Sequence, residues 1–385
     1  MDRVWILAAV VAFSLAPPAR AEEGTTAAEI VEKLQFHGFV SQGFLITTDN
    51  DYLARSERGS FEFSEAGINL TASLTDHLRA GIQLFARDLG PIGNYHAILD
   101  WYYLDYRFFD WLGVRAGRLK LPIGLYNDTS DIDAAHTVVL LPGSVYPQTN
   151  RDFLLAQTGF EVYGFRSFGD AGSLTYRLNL GTIFIPRENT TPGVTILDLS
   201  IPYVAGGRLL WETPLDGLRV GASVHALRLE TDFAVPMVPD PVSAELDAII
   251  WVASAEFLRG DLLVAAEYSR WHIDTESTNE MVVPSGESAS ERAYLMGSYR
   301  VNSWLQPGLY YSLLFPDVDD RSGRESQQHD VCATVRFDVN QYWLIKLEAH
   351  YMHGTAALSA SFNELPLDQL QDDWGLFLAK TTAYF

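Results

Sequence analysis

Polar and apolar residues alternate with a period of two through most of this chain. Over 343–351, Trp343, Ile345, Leu347, Ala349 and Tyr351 alternate with Leu344, Lys346, Glu348 and His350. Over 331–339, Val331, Ala333, Val335, Phe337 and Val339 alternate with Cys332, Thr334, Arg336 and Asp338. Leu174, Tyr176, Leu178 and Leu180 oppose Thr175, Arg177 and Asn179; Leu78, Ala80, Ile82, Leu84 and Ala86 oppose Arg79, Gln83 and Arg87. Successive side chains of a strand point to opposite faces, so this pattern predicts strands with one apolar and one polar face. Sixteen such runs occur, near 36–46, 60–74, 78–88, 97–109, 113–120, 158–168, 172–184, 202–213, 217–230, 246–258, 261–273, 291–301, 304–315, 328–339, 342–353 and 373–385.

The connections alternate too. Short turns are expected at Thr75–His77, Asp110–Leu112, Gly169–Ala171, Pro214–Asp216, Arg259–Gly260, Asn302–Ser303 and Asn340–Gln341, and longer polar loops between the other pairs. Strict short–long alternation and an even strand count predict an all-β, transmembrane antiparallel barrel with tight turns at one end and long loops at the other. The position of charge agrees. A Lys or Arg on the lipid face at mid-membrane costs roughly 2–4 kcal/mol, so charges must keep to the inward parity. That parity holds Arg79, Arg87, Arg107, Arg118, Lys120, Arg177, Arg208, Arg219, Arg300, Arg336, Lys346 and Lys380, with fewer acids: Asp105, Glu161, Glu256, Glu267, Asp338 and Glu348. A soluble β-sandwich also alternates, but its two-sheet core does not call for sixteen long strands. The second, fifth and eighth runs are less regular, and Gly117 and Gly206–Gly207 are expected to mark bulges or kinks there.

At the N-terminus, Val4–Leu15 is apolar and Ala19-Arg20-Ala21 fits a small-x-small cleavage site, so residues 1–21 read as a signal peptide. Residues 22–35 read as a short periplasmic lead that frays, and 36–385 as one barrel domain. The chain closes on Trp374-Gly-Leu-Phe-Leu-Ala-Lys-Thr-Thr-Ala-Tyr-Phe385, an alternating stretch with a terminal aromatic. It is expected to pair with the first strand, as last strands of outer-membrane barrels do. The net charge is −22. Cleavage after Ala21 would remove Arg3, Arg20 and Asp2 and leave −23, which disfavours nucleic acid as a partner. The single cysteine, Cys332, can form no internal disulfide.

Residues 121–157 are the longest connection. Ile123, Leu125, Val138, Val139, Leu140 and Leu141 make it too apolar to stand in water, so it is expected to fold into the barrel and narrow it. Arg118 and Lys120 on the wall would then face Asp128, Asp131 and Asp133 on the loop. Together with Arg87 and Arg177 they are the candidate constriction and selectivity residues, since rings of opposed charge orient dipolar solutes and set ion preference.

Val114-Arg-Ala-Gly-Arg-Leu-Lys-Leu-Pro-Ile-Gly-Leu-Tyr126 resembles the strand-to-loop signature of bacterial outer-membrane porins, in particular the phosphate-selective (O/P-type) group with its Gly-x-hydrophobic-Lys-x-Pro-x-Gly-Leu pattern. The resemblance implies a sixteen-stranded, homotrimeric channel with its third loop at the constriction, in the outer membrane of a Gram-negative cell. The lysine cluster that the phosphate-selective group carries on its loops has no counterpart here.

The expected function is a porin for passive diffusion of small hydrophilic solutes, with a preference for anions as a further expectation, outer-membrane lipid around it, no cofactor, no metal and no catalysis. Two alternatives differ in kind: a channel specific for an organic acid or hydrophobic compound, suggested by Trp101 and Tyr103, or a non-conducting surface barrel. Arg259-Gly-Asp261 lies in an expected short turn and is discounted as an adhesion motif. His350 and His353 fall on opposite faces of one strand with no third ligand in sequence, so the pair does not read as zinc-binding. No nucleophile elbow, phosphate loop or dinucleotide fingerprint is present.

Overall fold

A computed structural model describes residues 33–90, 92–185, 194–359, 362–363 and 365–385. The expected signal peptide and nearly all of the 22–35 lead lie outside these residues.

The strands are β1 (Leu34–Thr47), β2 (Phe63–Ser73), β3 (Leu78–Leu89), β4 (Ile98–Phe109), β5 (Leu112–Lys120), β6 (Ala156–Ser167), β7 (Ser173–Ile183), β8 (Thr195–Glu212), β9 (Leu218–Ala234), β10 (Val242–Arg259), β11 (Leu262–Ser277), β12 (Gly286–Tyr299), β13 (Leu305–Phe315), β14 (Gln328–Asn340), β15 (Trp343–Gly354) and β16 (Asp373–Tyr384). Each pairs antiparallel with its sequence neighbours, and β1 closes on β16, so the described strands form one closed sixteen-strand barrel. At the seam Phe39 lies opposite Tyr384, Gly43 opposite Lys380 and Thr47 opposite Leu376. Closure leaves no strand edge unpaired, the condition for β-structure in a membrane.

Burial follows the expected parity. Leu344, Lys346 and Glu348 are buried while Trp343 and Tyr351 are exposed on the other face. Cys332, Thr334 and Arg336 face inward; Val331 and Val339 face out. Leu178, Leu180, Leu309 and Phe160 contribute to the apolar exterior, with Phe109, Trp111, Trp304, Tyr342 and Phe385 near the short-turn end. Aromatics at that level match the interfacial girdle of membrane barrels.

Three expectations are corrected. Gly206 and Gly207 sit in regular register, opposite His225 and Val224. The irregularities of β8 lie earlier, between Ile196 and Asp198 and between Ser200 and Tyr203. Pro202 falls in the second, where a residue without an N–H can sit outside the ladder. Strands β8–β11 also run longer than expected, 16 to 18 residues against 9 in β5. The added outer ends mix apolar residues such as Ile196, Leu199, Phe233 and Val242 with Asp198, Asp232, Glu245 and Asp274, without a regular period of two. Lastly, the interior is not wet throughout. Val204, Leu227, Ala248, Ile250, Val252, Ala265 and Met296 face inward and pack against Leu121, Ile123, Leu125, Val138, Leu141, Val145 and Leu154 of the third long loop.

Candidate functional site

The segment between β5 and β6 meets inward side chains from most of the barrel. Near its start, Arg208 of β8 donates to Gly124 O (2.8 Å), and Leu125 N–H donates to Glu267 of β11 (2.8 Å). The Tyr126 hydroxyl donates to Glu256 of β10 (2.5 Å), and Tyr146 to Glu267. Further along, Arg336 of β14 donates to Ala134 O (2.6 Å) and Lys346 of β15 to Val138 O (2.7 Å). Glu348 accepts from Val139 N–H (2.5 Å) and Leu140 N–H (3.3 Å). Ser144 donates to Ala293 O of β12 (3.0 Å) and accepts from Ser312 of β13 (2.8 Å). An irregular segment surrounded by protein must satisfy its backbone groups, and here the barrel wall supplies the partners. The turn at Gly124 needs glycine: its φ is +55°, and a Cβ would meet Tyr146 Oη at 2.5 Å and Glu267 Oε1 at 2.6 Å.

The predicted acids divide among three wall clusters. Asp128 pairs with Arg177 (2.6 Å) and Arg208 (2.8 Å). Asp131 pairs with Lys120 (3.1 Å) and Arg151 (2.8 Å). Asp133 accepts from Thr382 (2.6 Å) and pairs with Lys380 (3.0 Å) and, more loosely, Lys346 (3.7 Å). Burial pushes each carboxyl up, but the adjacent cations outweigh it. Asp128 is held below the ordinary carboxyl range by Arg177 and Arg208, Asp131 well below it by Arg151 and Lys120, and Asp133 at about 2 by Lys380 and Lys346. His136 responds the other way: burial first, then Lys346, hold its imidazole down to about 4.

Of the predicted cations, Lys120 meets a loop acid as expected, whereas the Arg118 Nε donates to Asp100 O (2.8 Å). Arg177 bridges Asp128 and Glu161 and also donates to Lys120 O (2.8 Å). Arg87 is buried at the long-loop end of β3, opposite Glu65 in the neighbouring strand, and Glu65 in turn pairs with Lys380 (2.6 Å) beside Asp133.

Register explains one residue that sequence reasoning missed. Arg115 lies opposite Asp105 and Glu161 and pairs with both, at 3.2 and 3.1 Å. It shares the inward parity, whereas Arg118 and Lys120 fall on the opposite one. Both nonetheless line the interior cavity, just beyond Gly117, whose φ is +139° and where a Cβ would meet Tyr102 O at 2.2 Å. Arg151 was also missed. It is buried between Asp100 and Asp131 and lies over the Phe85 ring (4.4 Å), and nothing in its sequence neighbourhood marks it. The apolar interior did leave a signal: Ile249-Ile250-Trp251-Val252 is apolar on both faces, the mark of a strand covered on both sides.

On the short-turn side of the segment is a cavity of about 620 Å³. Arg115, Arg118, Lys120 and Arg177 line it from the wall, and Asp128, Asp131 and Asp133 from the segment. Trp101 and Tyr103, stacked at 5.6 Å, form an aromatic shelf in it. Beside Ile123, Asp131, Val139, Tyr146 and Arg151 the free space shrinks to about 40 Å³.

No protein-family model matches the chain, and no curated protein matches it in sequence. Solved structures do match in fold. OmpT, expressed in the outer membrane of Vibrio cholerae, shares 13% identity at a TM-score of 0.60, covering 91% of this chain and 97% of that one. An anion-selective porin from Comamonas acidovorans shares 14% at 0.57, covering 91% and 99%. The outer-membrane channel DcaP of Acinetobacter baumannii shares 11% at 0.53, covering 91% and 97%. At such identities the likeness is one of fold: a closed barrel of the kind that outer-membrane porins and channels use.

Proposed function

We propose that the chain is an outer-membrane channel through which small hydrophilic solutes diffuse, with segment 121–155 as its constriction. The observation that carries this is the ion-paired contact between that segment and the inward wall, Asp128, Asp131 and Asp133 against Arg177, Arg208, Lys120 and Lys380. Fixed charges of both signs around a narrow aqueous space set a transverse field, which favours dipolar solutes. A weak preference for anions belongs to the same reading, with Arg118 and Lys120 as the residues that would carry it. A homotrimer in the Gram-negative outer membrane fits the reading; one solved form of the Vibrio OmpT is described as a trimer.

Planar-bilayer recordings test it. Insertion should give discrete steps whose reversal potential in a salt gradient lies slightly to the anion side, and R118Q/K120Q should move it toward cations. Absence of steps from correctly folded protein would leave the non-conducting barrel. An unchanged reversal potential would remove Arg118 and Lys120 from selectivity.

One observation favours the second reading, a solute-specific channel. The packed apolar body of the segment and the Trp101–Tyr103 shelf leave less open water than free diffusion of many solutes uses. Low single-channel conductance with block by an aromatic acid at micromolar concentration would decide for it.

A further inference from the structure

Most inward guanidiniums of the wall are matched by an acid. Arg115, Arg177, Arg208, Arg219 and Arg336 pair with carboxylates at 3.1, 2.6, 2.8, 2.9 and 2.7 Å. Arg292 of β12 is different. It shares the inward parity of Ser290, Tyr294 and Met296 and is half-buried, yet it makes no ion pair among the described residues. Its Nε donates to Ser290 Oγ (3.0 Å) and its Nη1 to Ser144 O of the constriction segment (2.9 Å). Its guanidinium carbon lies 3.6 Å from the centre of the Trp271 ring. The Nη2 makes no hydrogen bond among the described residues. Two neutral acceptors and an aromatic face therefore fix the group without neutralising it.

Register keeps acids away from it. Arg292 lies opposite Ser269 and Leu314, and Trp271 and Ser290 follow toward the long-loop end. None of these carries charge. Glu267, opposite Tyr294, is one inward pair nearer the short turns. Its oxygens are taken by Leu125 N–H, Ser254, Tyr146 and Tyr294, and it is enclosed beneath the segment.

We propose that Arg292 is a specificity-determining residue of the channel, an anion-binding position that takes the carboxylate or other oxyanion group of a passing solute on its free Nη2. The proposal rests on the transport reading and adds a position to Arg118 and Lys120. An ion pair presents a dipole, whose potential changes sign around it, so paired cations orient a solute more than they select its charge. A fixed cation without a partner attracts anions over about a Debye length, roughly 8 Å at physiological salt. An oxyanion arriving here displaces water from the guanidinium and has no resident carboxylate to compete with. Trp271 and Ser290 hold the group in place before the solute arrives, so little side-chain freedom is lost on contact.

Two measurements on the whole mature chain test this. In refolded protein in detergent, phenylglyoxal modification of Arg292, followed by peptide mass spectrometry, should slow severalfold when sodium acetate replaces sodium chloride at constant ionic strength. In planar bilayers, R292Q should move the reversal potential toward cations, and R292K, which keeps the charge, should restore it. Native heat-modifiable mobility identifies folded variants. An unchanged modification rate in acetate, or an unchanged reversal potential in conducting R292Q, would overturn the proposal. Silent wild-type protein would sink the transport reading instead, and the modification rate would still decide whether Arg292 binds an oxyanion.

Discussion

Asp133 anchors one end of the segment, because two lysines and a threonine from β15 and β16 meet its carboxylate. Replacing one partner of a buried ion pair typically costs about 3–5 kcal/mol, since the other charge stays buried without compensation. D133N should therefore loosen the segment, raising single-channel conductance and the rate of tryptic cleavage within 121–155; neither changing would mean that the pair does not hold it. His136 sets the pH response. Its imidazole is held at about 4, below the ordinary value of about 6.5. The docked segment then binds fewer protons than the released one between those values, so docking weakens as pH falls from about 6.5 to about 4, by on the order of 3 kcal/mol at most. Asp133 acts lower. Its depressed carboxyl supports docking above the ordinary value of about 3.9, and that support is lost as pH falls through about 2. Protease sensitivity measured against pH should rise first in the upper window, and H136N should flatten that rise. Protonated His136 would face Lys346 and Arg336, with Asp133 opposing them.

At the scale of elements, Gly117 precedes the two cations, Arg118 and Lys120, that line the interior cavity from the end of β5. G117A puts a Cβ against Tyr102 O and demands a φ that alanine rarely adopts, a strain of about 1–3 kcal/mol. It should move Arg118 and Lys120 away from the cavity and so reproduce the reversal-potential shift of R118Q/K120Q with both residues still present. The segment itself was legible as inward-folding from its apolar content. Its partners were not, because Glu267, Glu348 and Arg336 are far from it in sequence and no local pattern links them. Arg115 was missed for the same kind of reason: its partners Asp105 and Glu161 lie on the two neighbouring strands and are reached only through register.

Across the whole molecule, closure is the property everything else uses. The β1–β16 seam aligns Phe44 with Ala379, both on the outer face. Cross-strand Cα distances of about 4.5–5.5 Å lie in the range a disulfide spans. In a C332A background, F44C/A379C should oxidise to an intramolecular link that alters mobility of the denatured chain. Failure of the link to form in folded protein would place the two ends apart.

Alternation, turn spacing and the parity of charge were enough to derive the sixteen strands, their order and the face that most side chains take. Those features are local, and lipid outside the wall penalises each violation separately. What fills the barrel, which acid meets which base, and that Arg292 meets none were decided only by tertiary structure. They depend on strand register and on contacts across the barrel, which a period of two does not encode.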